Sequence, residues 1–331
     1  MFVAACAAWA GPASAPHPVK SIRRTDLFIR DPFIVPVAAT GEYYLYASNW
    51  RDAPAPDGAH GVVAWKSRDL NTWSGPVRVF SVPPDGWAEV KGAVWAPEVH
   101  TDNGRYYLFV TLANSLARFL DQPGRPPLHP RATQIFVAAT PDGPFLPLAK
   151  PPVTPADWMS LDGTLWIEDG RPFMVFCHEW HQTIDGTFEV VELAPDLSRA
   201  VTRPQTLFAA SQIPWTRDLK TIGLGKIGGF VSDGCFLHRN KSGALLMLTA
   251  SFGTTRYGLG ISRSTSGRLA GPWVHEEQPL FADDGGHGMI FTAFDGQLVL
   301  ALHAPNGQAR CRLFEIAETA ESLRIVREIP W

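Results

Sequence analysis

The sequence has few cysteines, little charge and no long apolar run, and each shortage excludes a class of protein. Its four cysteines are scattered over 331 residues, without the spacing of a zinc site or of a disulfide framework. A net charge of −3 argues against nucleic acid as the main partner. No apolar segment reaches the roughly 18 residues that a membrane-spanning helix needs. We therefore expect a folded protein that binds neither nucleic acid nor membrane and requires no cofactor.

The first fifteen residues resemble the end of a secretion signal. They are small and apolar and finish with Ala13-Ser14-Ala15, which fits an Ala-x-Ala cleavage pattern. The basic segment that usually begins such a signal is missing, so we interpret residues 1–15 as a truncated signal. Cys6 would leave with it, and residues 16–331 would form a single domain. We expect a secreted or periplasmic protein, with a cytoplasmic location as the alternative.

Tryptophan is abundant, with twelve copies in a chain that is 45% hydrophobic. That apolar content is sufficient for a large core and argues against disorder. Tryptophan is seldom buried completely and offers a flat apolar platform on which a sugar ring can stack. We expect about half of the tryptophans in the core, and the remainder favours a carbohydrate ligand.

Five copies of a strand–turn–strand unit organise the chain. Each copy has a glycine in its turn followed by an apolar strand, and successive turn glycines are 63, 66, 73 and 53 residues apart. A third strand follows each unit, and a turn with a fourth strand comes next. This pattern predicts an all-β fold, a five-bladed β-propeller with four-stranded antiparallel blades around a central axis. The turn glycines are Gly41, Gly104, Gly170, Gly243 and Gly296.

Polar residues stand at the start of the first strand in several copies, where a propeller strand reaches the central axis. Each aspartate among them could be an ordinary turn residue beside Gly or Pro. Their similar register, eight to ten residues before the turn glycine, predicts that they converge on the axis. Converging carboxylates raise one another's pKa, which a purely structural protein would avoid. The residues in this register are Asp31, Trp95, Asp162, Asp233 and His287.

Carboxyl groups with different pKa values are what the cleavage of a glycosidic bond requires. A protonated group gives its proton to the leaving oxygen, and an ionised group activates water or attacks the sugar. A third carboxylate nearby can keep the pKa of the acid high. The sequence therefore predicts a site that hydrolyses an oligo- or polysaccharide.

The ends of the second strands reach the same face and supply candidate sugar-binding residues. The tryptophans there are candidate platforms, and Glu179 is a further carboxylate. Arg256 could bind a sugar hydroxyl or pair with a carboxylate, and a solvated loop arginine is an equally good interpretation. The predicted substrate-binding residues are Trp50, Trp95, His178, Glu179, Trp180, Phe252, Arg256 and His303.

As a set, these motifs resemble glycoside hydrolase family 43, the five-bladed arabinanases, arabinofuranosidases and xylosidases. The resemblance covers the chain from about Ile29. The motifs that carry it are Arg30-Asp31-Pro32, Trp95-Ala96-Pro97-Glu98, Leu161-Asp162-Gly163, Asp169-Gly170 and Gly286-His287-Gly288 with His303.

The resemblance implies hydrolysis with inversion at the sugar carbon and assigns roles to three residues. Asp31 would be the general base, and Asp162 would modulate the pKa of the acid and orient it. His287 would be an axial residue near a calcium ion or another cation, which it would contact through water.

The fourth copy departs from the family pattern, which has Glu-Gly-Pro with the glutamate as general acid. This chain has Asp233-Gly234-Cys235 instead. Aspartate is one methylene shorter, which would place the acid about 1 Å further from the leaving oxygen. Three interpretations stay open: Asp233 is the acid in a tighter pocket, Glu179 has taken over the role, or the protein is weakened or inactive.

The leading hypothesis is an exo-acting α-L-arabinofuranosidase of plant cell-wall glycans, because the loops 52–60 and 121–131 could close a pocket. A β-xylosidase or an endo-arabinanase on the same fold is the alternative among enzymes. A carbohydrate-binding propeller that keeps its tryptophans but has lost the acid is the alternative outside enzymes.

Overall fold

The computed structural model describes residues 20–330, so the predicted signal and Cys6 lie outside the described residues and the predicted export stays a prediction. Strands dominate this part of the chain, and its helical segments are one turn long. No helix in it is long and apolar enough to cross a membrane. The helical segments are α1 (Trp180–Thr183) and the 3-10 turns Arg24–Asp26, Trp50–Asp52 and Ala210–Gln212.

The strands form five antiparallel sheets that follow one another along the chain, which confirms the predicted five-bladed β-propeller. Each sheet has four consecutive strands, and β1 (Lys20–Arg23) adds a fifth strand to the outer edge of the first sheet. Blade one contains β2 (Phe33–Val37), β3 (Glu42–Ala47), β4 (Gly61–Ser67) and β5 (Thr72–Ser81); blade two contains β6 (Val94–Asp102), β7 (Arg105–Ala113), β8 (Arg131–Ala138) and β9 (Leu146–Pro147). Blade three contains β10 (Ser160–Glu168), β11 (Arg171–His178), β12 (Thr187–Glu192) and β13 (Gln205–Ala209); blade four contains β14 (Asp233–Arg239), β15 (Leu245–Phe252), β16 (Tyr257–Ser264) and β17 (Trp273–His275); blade five contains β18 (Gly286–Thr292), β19 (Leu298–Ala304), β20 (Arg310–Glu318) and β21 (Leu323–Glu328).

The first strands of the blades surround the axis. Each of β2, β6, β10, β14 and β18 contacts the first strand of both neighbouring blades, so that the contacts close a ring. The five predicted turn glycines lie at the opposite end of these strands, with φ between 64° and 87°. Glycine adopts this left-handed conformation without steric cost, which explains its recurrence in every copy.

Apolar clusters fill the five interfaces between neighbouring blades. In one of them Ile34 and Leu45 of blade one pack against Met289 and Ala301 of blade five. Each fully buried side chain of this size contributes about 1.5–3 kcal/mol relative to leaving it in water. These interfaces hold the starts of the first strands in fixed positions around the axis.

More tryptophans belong to the core than the predicted half. Of the ten in the described part of the chain, seven lie in the apolar clusters or pack against them. The three that do not are Trp50, Trp95 and Trp180, the residues predicted to be sugar platforms.

The start of the described chain is fastened to both the first and the last blade. β1 pairs with β5, while the buried guanidinium of Arg24 donates hydrogen bonds from Nη2 to the carbonyl oxygens of Ile329 (3.0 Å) and Pro330 (2.9 Å). The backbone of Ile29 then donates a hydrogen bond to the carbonyl oxygen of Ala309 in the segment before β20. This seam closes the ring.

Candidate active site

A residue in the left-handed conformation stands at the mouth of every blade. Its φ is 49° at Asp31, 43° at Ala96, 56° at Asp162, 51° at Gly234 and 50° at His287. In blades two to five a bulge interrupts the pairing of the first and second strands there. Bulges re-aim the side chains beside them, which explains how strands of ordinary twist present polar groups to a common centre.

The register predicted from the sequence differs from the structure at two residues. Asp31, Asp162 and His287 share the left-handed position, whereas Trp95 and Asp233 each lie one residue before it. The cause is the bulge, which shifts residue counts taken from the turn glycine. Asp233 nevertheless lines the same cavity as Asp31 and Asp162, which shows that its side chain reaches the centre.

The aspartates of blades one, three and four converge on the imidazole of His287 in blade five. Its Nδ1 lies 3.4 Å from Asp31 Oδ1, 3.8 Å from Asp162 Oδ2 and 3.7 Å from Asp233 Oδ1. Burial alone would lower the pKa of His287, but the three carboxyl groups raise it well above its usual value. The centre therefore contains an imidazolium ion at neutral pH.

Asp31 is held in its ionised form. Burial alone would raise the pKa of its carboxyl group, but the charge of His287, the contact with His303 and the charge of Arg30 lower this pKa to about 2. His303 Nδ1 lies 3.1 Å from Asp31 Oδ1 and 3.3 Å from the backbone nitrogen of Asp31. The Asp31 backbone N–H donates its hydrogen bond to this Nδ1, and the opposite ring nitrogen, Nε2, lies 3.3 Å from Asn306 Oδ1.

The carboxyl groups of Asp162 and Asp233 are a coupled pair that retains one proton, since two buried neighbours of this kind do not ionise together. Burial and the charge of Asp233 raise the pKa of Asp162 well above its usual range. Burial would also raise the pKa of Asp233, but hydrogen bonds from Asp162, His287 and Tyr257 lower it. In the free site the proton therefore rests on Asp162, which is the more deeply buried of the two.

Hydrogen bonds from two neighbouring blades fix Asp162. Its backbone N–H donates to the Thr111 hydroxyl (2.9 Å), and the next backbone N–H, of Gly163, donates to the Thr133 hydroxyl (3.0 Å). On the other side, the Gly234 N–H donates to Asp162 Oδ2 (3.0 Å). These hydrogen bonds leave Asp162 little freedom to approach a substrate. They suit a carboxyl group that acts on the neighbouring carboxyl group of Asp233.

A cavity of about 350 Å³ opens onto these carboxylates. All three predicted catalytic aspartates line it, and so do Trp95 and Trp180 from the predicted platforms. The side chain of Asp233 is 20% exposed, against 10% for Asp31, so both can meet a ligand. The lining residues are Arg30, Asp31, Ser48, Trp95, Leu161, Asp162, Glu179, Trp180, Val231, Ser232 and Asp233.

Glu179 lines this cavity as the partner of a buried arginine. Its Oε2 accepts a hydrogen bond from Arg131 Nη1, and His181 Nδ1 lies 3.4 Å from its other oxygen. Burial lowers the pKa of Arg131 to about 10, so the guanidinium is charged at neutral pH. The same guanidinium lies 4.4 Å from the ring centre of Trp95 and supports it.

The other predicted substrate-binding residues do not line the cavity. Trp50 stacks on His60 with ring centres 3.7 Å apart, and His178 stacks on Trp158 at 3.9 Å. Phe252 packs on Tyr257, and His303 is fully buried behind Asp31. Arg256 pairs with Asp283 (2.9 Å) beside a separate cavity of about 310 Å³.

The two predicted closing loops differ in how they relate to the cavity. In the loop 52–60, His60 supports Trp50. In the loop 121–131, Arg125 donates hydrogen bonds to the carbonyl oxygens of Trp180 (2.9 Å) and Gly228 (3.0 Å). This second loop therefore braces one wall of the cavity.

Tyr257 and Arg131 belong to the site but carry no sequence signal. Tyr257 donates its hydroxyl to Asp233 Oδ2 from the start of β16, and Arg131 begins β8. An aromatic or basic residue at the start of a third strand is ordinary in a propeller, and only the fold brings these two against the carboxylates.

Asp162, Asp233 and His287 form a group of residues whose side chains could ligate a metal ion. Each residue offers one ligand atom, and these atoms lie within 4.8 Å of one another. Calcium prefers six to eight oxygen ligands, whereas this group offers a nitrogen and two carboxyl groups that share a proton. The imidazolium already supplies the positive charge that a cation would bring, so the group fits a directly bound calcium ion poorly. An axial ion contacted by His287 through water stays a prediction.

Comparison with known proteins gives a family match over most of the chain. The model of "Glycosyl hydrolases family 43" matches residues 24–317. The crystal structure of an endo-arabinase from Bacteroides thetaiotaomicron is similar, with 36% identity, a TM-score of 0.78 and coverage of 91% of this chain and 98% of that chain.

Two proteins named as arabinofuranosidases are more distant. An alpha-L-arabinofuranosidase 43 from Humicola insolens is 24% identical over 227 residues, which are 62% of this chain and 41% of that relative's length. An alpha-L-arabinofuranosidase from Lactobacillus brevis has a TM-score of 0.63 at 19% identity, covering 94% of this chain and 95% of that one, and shows the shared fold.

Proposed function

The chain belongs to glycosyl hydrolase family 43, and we propose that it is an active inverting hydrolase of arabinose-containing plant cell-wall glycans. One observation carries this proposal: carboxyl groups whose pKa values are displaced in opposite directions meet at one cavity. Displaced pairs of this kind provide the base and the acid that glycoside cleavage needs.

Asp31 acts as the general base. Its pKa of about 2 keeps it ionised at neutral pH, and its position in the cavity lets it accept a proton from a water molecule. Arg30 and His303 orient its carboxylate, and His287 stabilises the charge. The activated water attacks the sugar carbon on the face opposite to the leaving group, which inverts its configuration.

Asp233 acts as the general acid, and Asp162 supplies its proton. A sugar in the cavity removes water from the exposed edge of Asp233, and this added burial favours the neutral form of its carboxyl group. The proton then passes from Asp162 to Asp233 and on to the leaving oxygen. Asp162 is thereby the group that modulates the acid, which agrees with the role that the family resemblance implies.

Glu179 is better suited to bind sugar than to donate a proton. Its Oε2 accepts a hydrogen bond from the buried Arg131 guanidinium, so this oxygen is already engaged in an ion pair and is not available to pass a proton to a leaving group. Its carboxylate faces the cavity beside Trp95 and Trp180, where it can accept hydrogen bonds from sugar hydroxyls. The two indole rings supply apolar surfaces for the same ligand.

We propose exo-acting release of α-L-arabinofuranose as the leading specificity. The wall that Arg125 braces against Trp180 favours a pocket with one closed side. Endo-cleavage of arabinan is the second candidate, because the 36% identical relative that matches almost end to end is described as an endo-arabinase.

Hydrolysis of defined substrates tests this proposal. We expect release of arabinose from nitrophenyl α-L-arabinofuranoside and from linear arabino-oligosaccharides, with little action on nitrophenyl β-xyloside. Oligosaccharides as the first products from arabinan would establish endo-cleavage, and preference for the xyloside would establish a xylosidase. Proton NMR of the first-formed anomer should show inversion. Failure to cleave any of these glycans would refute the enzyme proposal and favour a carbohydrate-binding propeller.

A further inference from the structure

Tyr257 is a buried residue that contacts the carboxyl group of Asp233. It is the first residue of β16, and its hydroxyl donates a hydrogen bond to Asp233 Oδ2. The side chain is 1% exposed, so the substrate cavity does not reach it. Its ring lies nearly parallel to that of His303, with centres 5.7 Å apart. The strand start at Gly286 covers another part of the ring, where a Cβ atom would come within 2.5 Å.

This packing fixes the position of the tyrosine hydroxyl and thereby the plane of the carboxyl group. Asp233 Oδ2 is occupied by Tyr257, while Oδ1 lies 3.7 Å from His287 Nδ1. An aspartate has one fewer rotatable bond than a glutamate, so one strong hydrogen bond is enough to set its orientation. General acids depend on such orientation for proton transfer.

We propose that Tyr257 is a positioning residue for Asp233. The Tyr257 hydroxyl occupies Asp233 Oδ2, so that Asp233 Oδ1 transfers the proton to the leaving oxygen. This inference rests on the proposed function, in which Asp233 is the general acid. The transferred proton comes from the pair of Asp162 and Asp233. Tyr257 keeps its own proton throughout, because burial and the charge of Asp233 raise its pKa well above the usual value.

The test is Tyr257→Phe, assayed on two substrates that differ in their need for an acid. An arabino-oligosaccharide has a poor leaving group that must be protonated, whereas dinitrophenol leaves as an anion without help. We expect kcat for the oligosaccharide to fall about tenfold or more, with KM within about twofold. We expect kcat for the dinitrophenyl arabinofuranoside to change less than about twofold. The ratio of the two rates in one preparation does not depend on the folded fraction.

The pH profile gives a second readout that a merely structural role would not change. A hydrogen bond donated to a carboxylate favours its ionised form, so its loss raises the pKa of Asp233. The alkaline limb of kcat for Tyr257→Phe, which reports the substrate complex in which Asp233 carries the proton, should therefore move to higher pH. Tyr46→Phe is the matched control, because Tyr46 is equally buried and its hydroxyl donates to the Pro141 carbonyl oxygen (2.8 Å) between blades one and two.

Asp233→Asn separates this inference from the proposed function. If Asp233→Asn slows the oligosaccharide far more than the dinitrophenyl glycoside and Tyr257→Phe does the same, the inference is supported. If Asp233→Asn shows that selectivity while Tyr257→Phe matches Tyr46→Phe, the positioning role is overturned. Equal losses on both substrates for Tyr257→Phe would overturn it as well. If Asp233→Asn itself shows no selectivity, Asp233 is not the acid, and both this assignment and the positioning role of Tyr257 are overturned, whereas the hydrolase proposal is refuted only by failure of the wild type to cleave the glycans.

Discussion

His303 Nδ1, in the last blade, lies 3.1 Å from Asp31 Oδ1, in the first. The contact crosses the seam at which the ring closes, and its histidine is fully buried. The pKa of the proposed base, Asp31, is therefore not determined by its own blade alone. Its low pKa is a property of two blades held side by side.

Removal of the base should abolish most activity. We expect Asp31→Asn to lower kcat/KM by about 10²–10⁴-fold, since asparagine keeps the shape but cannot accept the proton. Asparagine also tolerates the left-handed backbone of this position. Asp169→Asn is the matched control, because Asp169 has φ 52° in the exposed turn between β10 and β11. Activity of Asp31→Asn within tenfold of the wild type would contradict the assignment.

The acid limb of the pH profile should report on Asp31. A base with a pKa of about 2 is ionised at every pH above that value, so protonation of Asp31 should not limit kcat/KM near pH 4. His303→Phe removes one group that lowers this pKa, so the acid limb should move to higher pH. Phenylalanine preserves the stacking on Tyr257. An unchanged limb would show that His303 does not tune the base.

A half-buried histidine that also contacts a carboxylate controls for the loss of an imidazole–carboxylate pair. His238 Nε2 lies 2.8 Å from Glu318 Oε1 near the far end of β14, away from the cavity. We expect His238→Phe to lower thermal stability without displacing either limb of the profile. If a limb is displaced in His238→Phe as well, the shift seen in His303→Phe would be due to general destabilisation.

Glu179 should prove to be a stability and binding residue. Glu179→Gln leaves the buried Arg131 without its carboxylate partner, and we expect the free energy of unfolding to fall by about 3 kcal/mol. The variant should raise KM while affecting oligosaccharide and dinitrophenyl glycoside alike. Urea denaturation and the two-substrate assay measure these effects. A selective loss on the oligosaccharide would instead identify Glu179 as the acid.

Removal of divalent ions should leave activity largely intact. The His287 imidazolium already balances the carboxylates, so dialysis against EDTA should change kcat/KM by less than about twofold. Melting temperatures with and without added calcium would reveal an axial ion that acts only on stability. Loss of activity in EDTA with recovery on calcium addition would show that the cation is needed for the reaction.

Arg24 should be important for closure of the ring. Arg24→Met removes the guanidinium that holds the last two described carbonyl groups, and we expect a loss of about 2–4 kcal/mol in unfolding free energy. Arg105→Met, at the exposed start of β7 in blade two, should stay within about 0.5 kcal/mol. Equal stability of the two variants would show that the Arg24 contacts contribute little.

The repeat of turn glycines was sufficient to predict the fold, because each copy obeys the same local rule: glycine at a left-handed turn followed by an apolar strand. The rule fails at the blade mouths, where bulges insert residues. There a count from Gly243 placed Asp233 in register with Asp31, whereas Gly234 holds that backbone position. Local sequence shows that a polar residue is present at a mouth, but not how the bulge turns it.

The supporting contacts were beyond prediction for a different reason. Tyr257 meets Asp233 across two strands of one blade, and His303 meets Asp31 across two blades more than 270 residues apart in sequence. Such contacts depend on side-chain packing over long sequence separations. Of the three predicted platforms, Trp95 and Trp180 line the cavity, whereas Trp50 stacks on His60 instead.

The seam between the first and last blades gives this enzyme a way to lose activity before it loses its fold. Blades two, three and four can keep their sheets while the contacts across the seam open, since local opening needs far less free energy than global unfolding. Such fraying would carry Asp31 away from His287 and His303 and leave a base with an ordinary pKa. Thermal inactivation would then report on the contacts across the seam, such as those of Arg24 with Ile329 and Pro330, and a covalent link across the seam is the direct way to raise the temperature of inactivation.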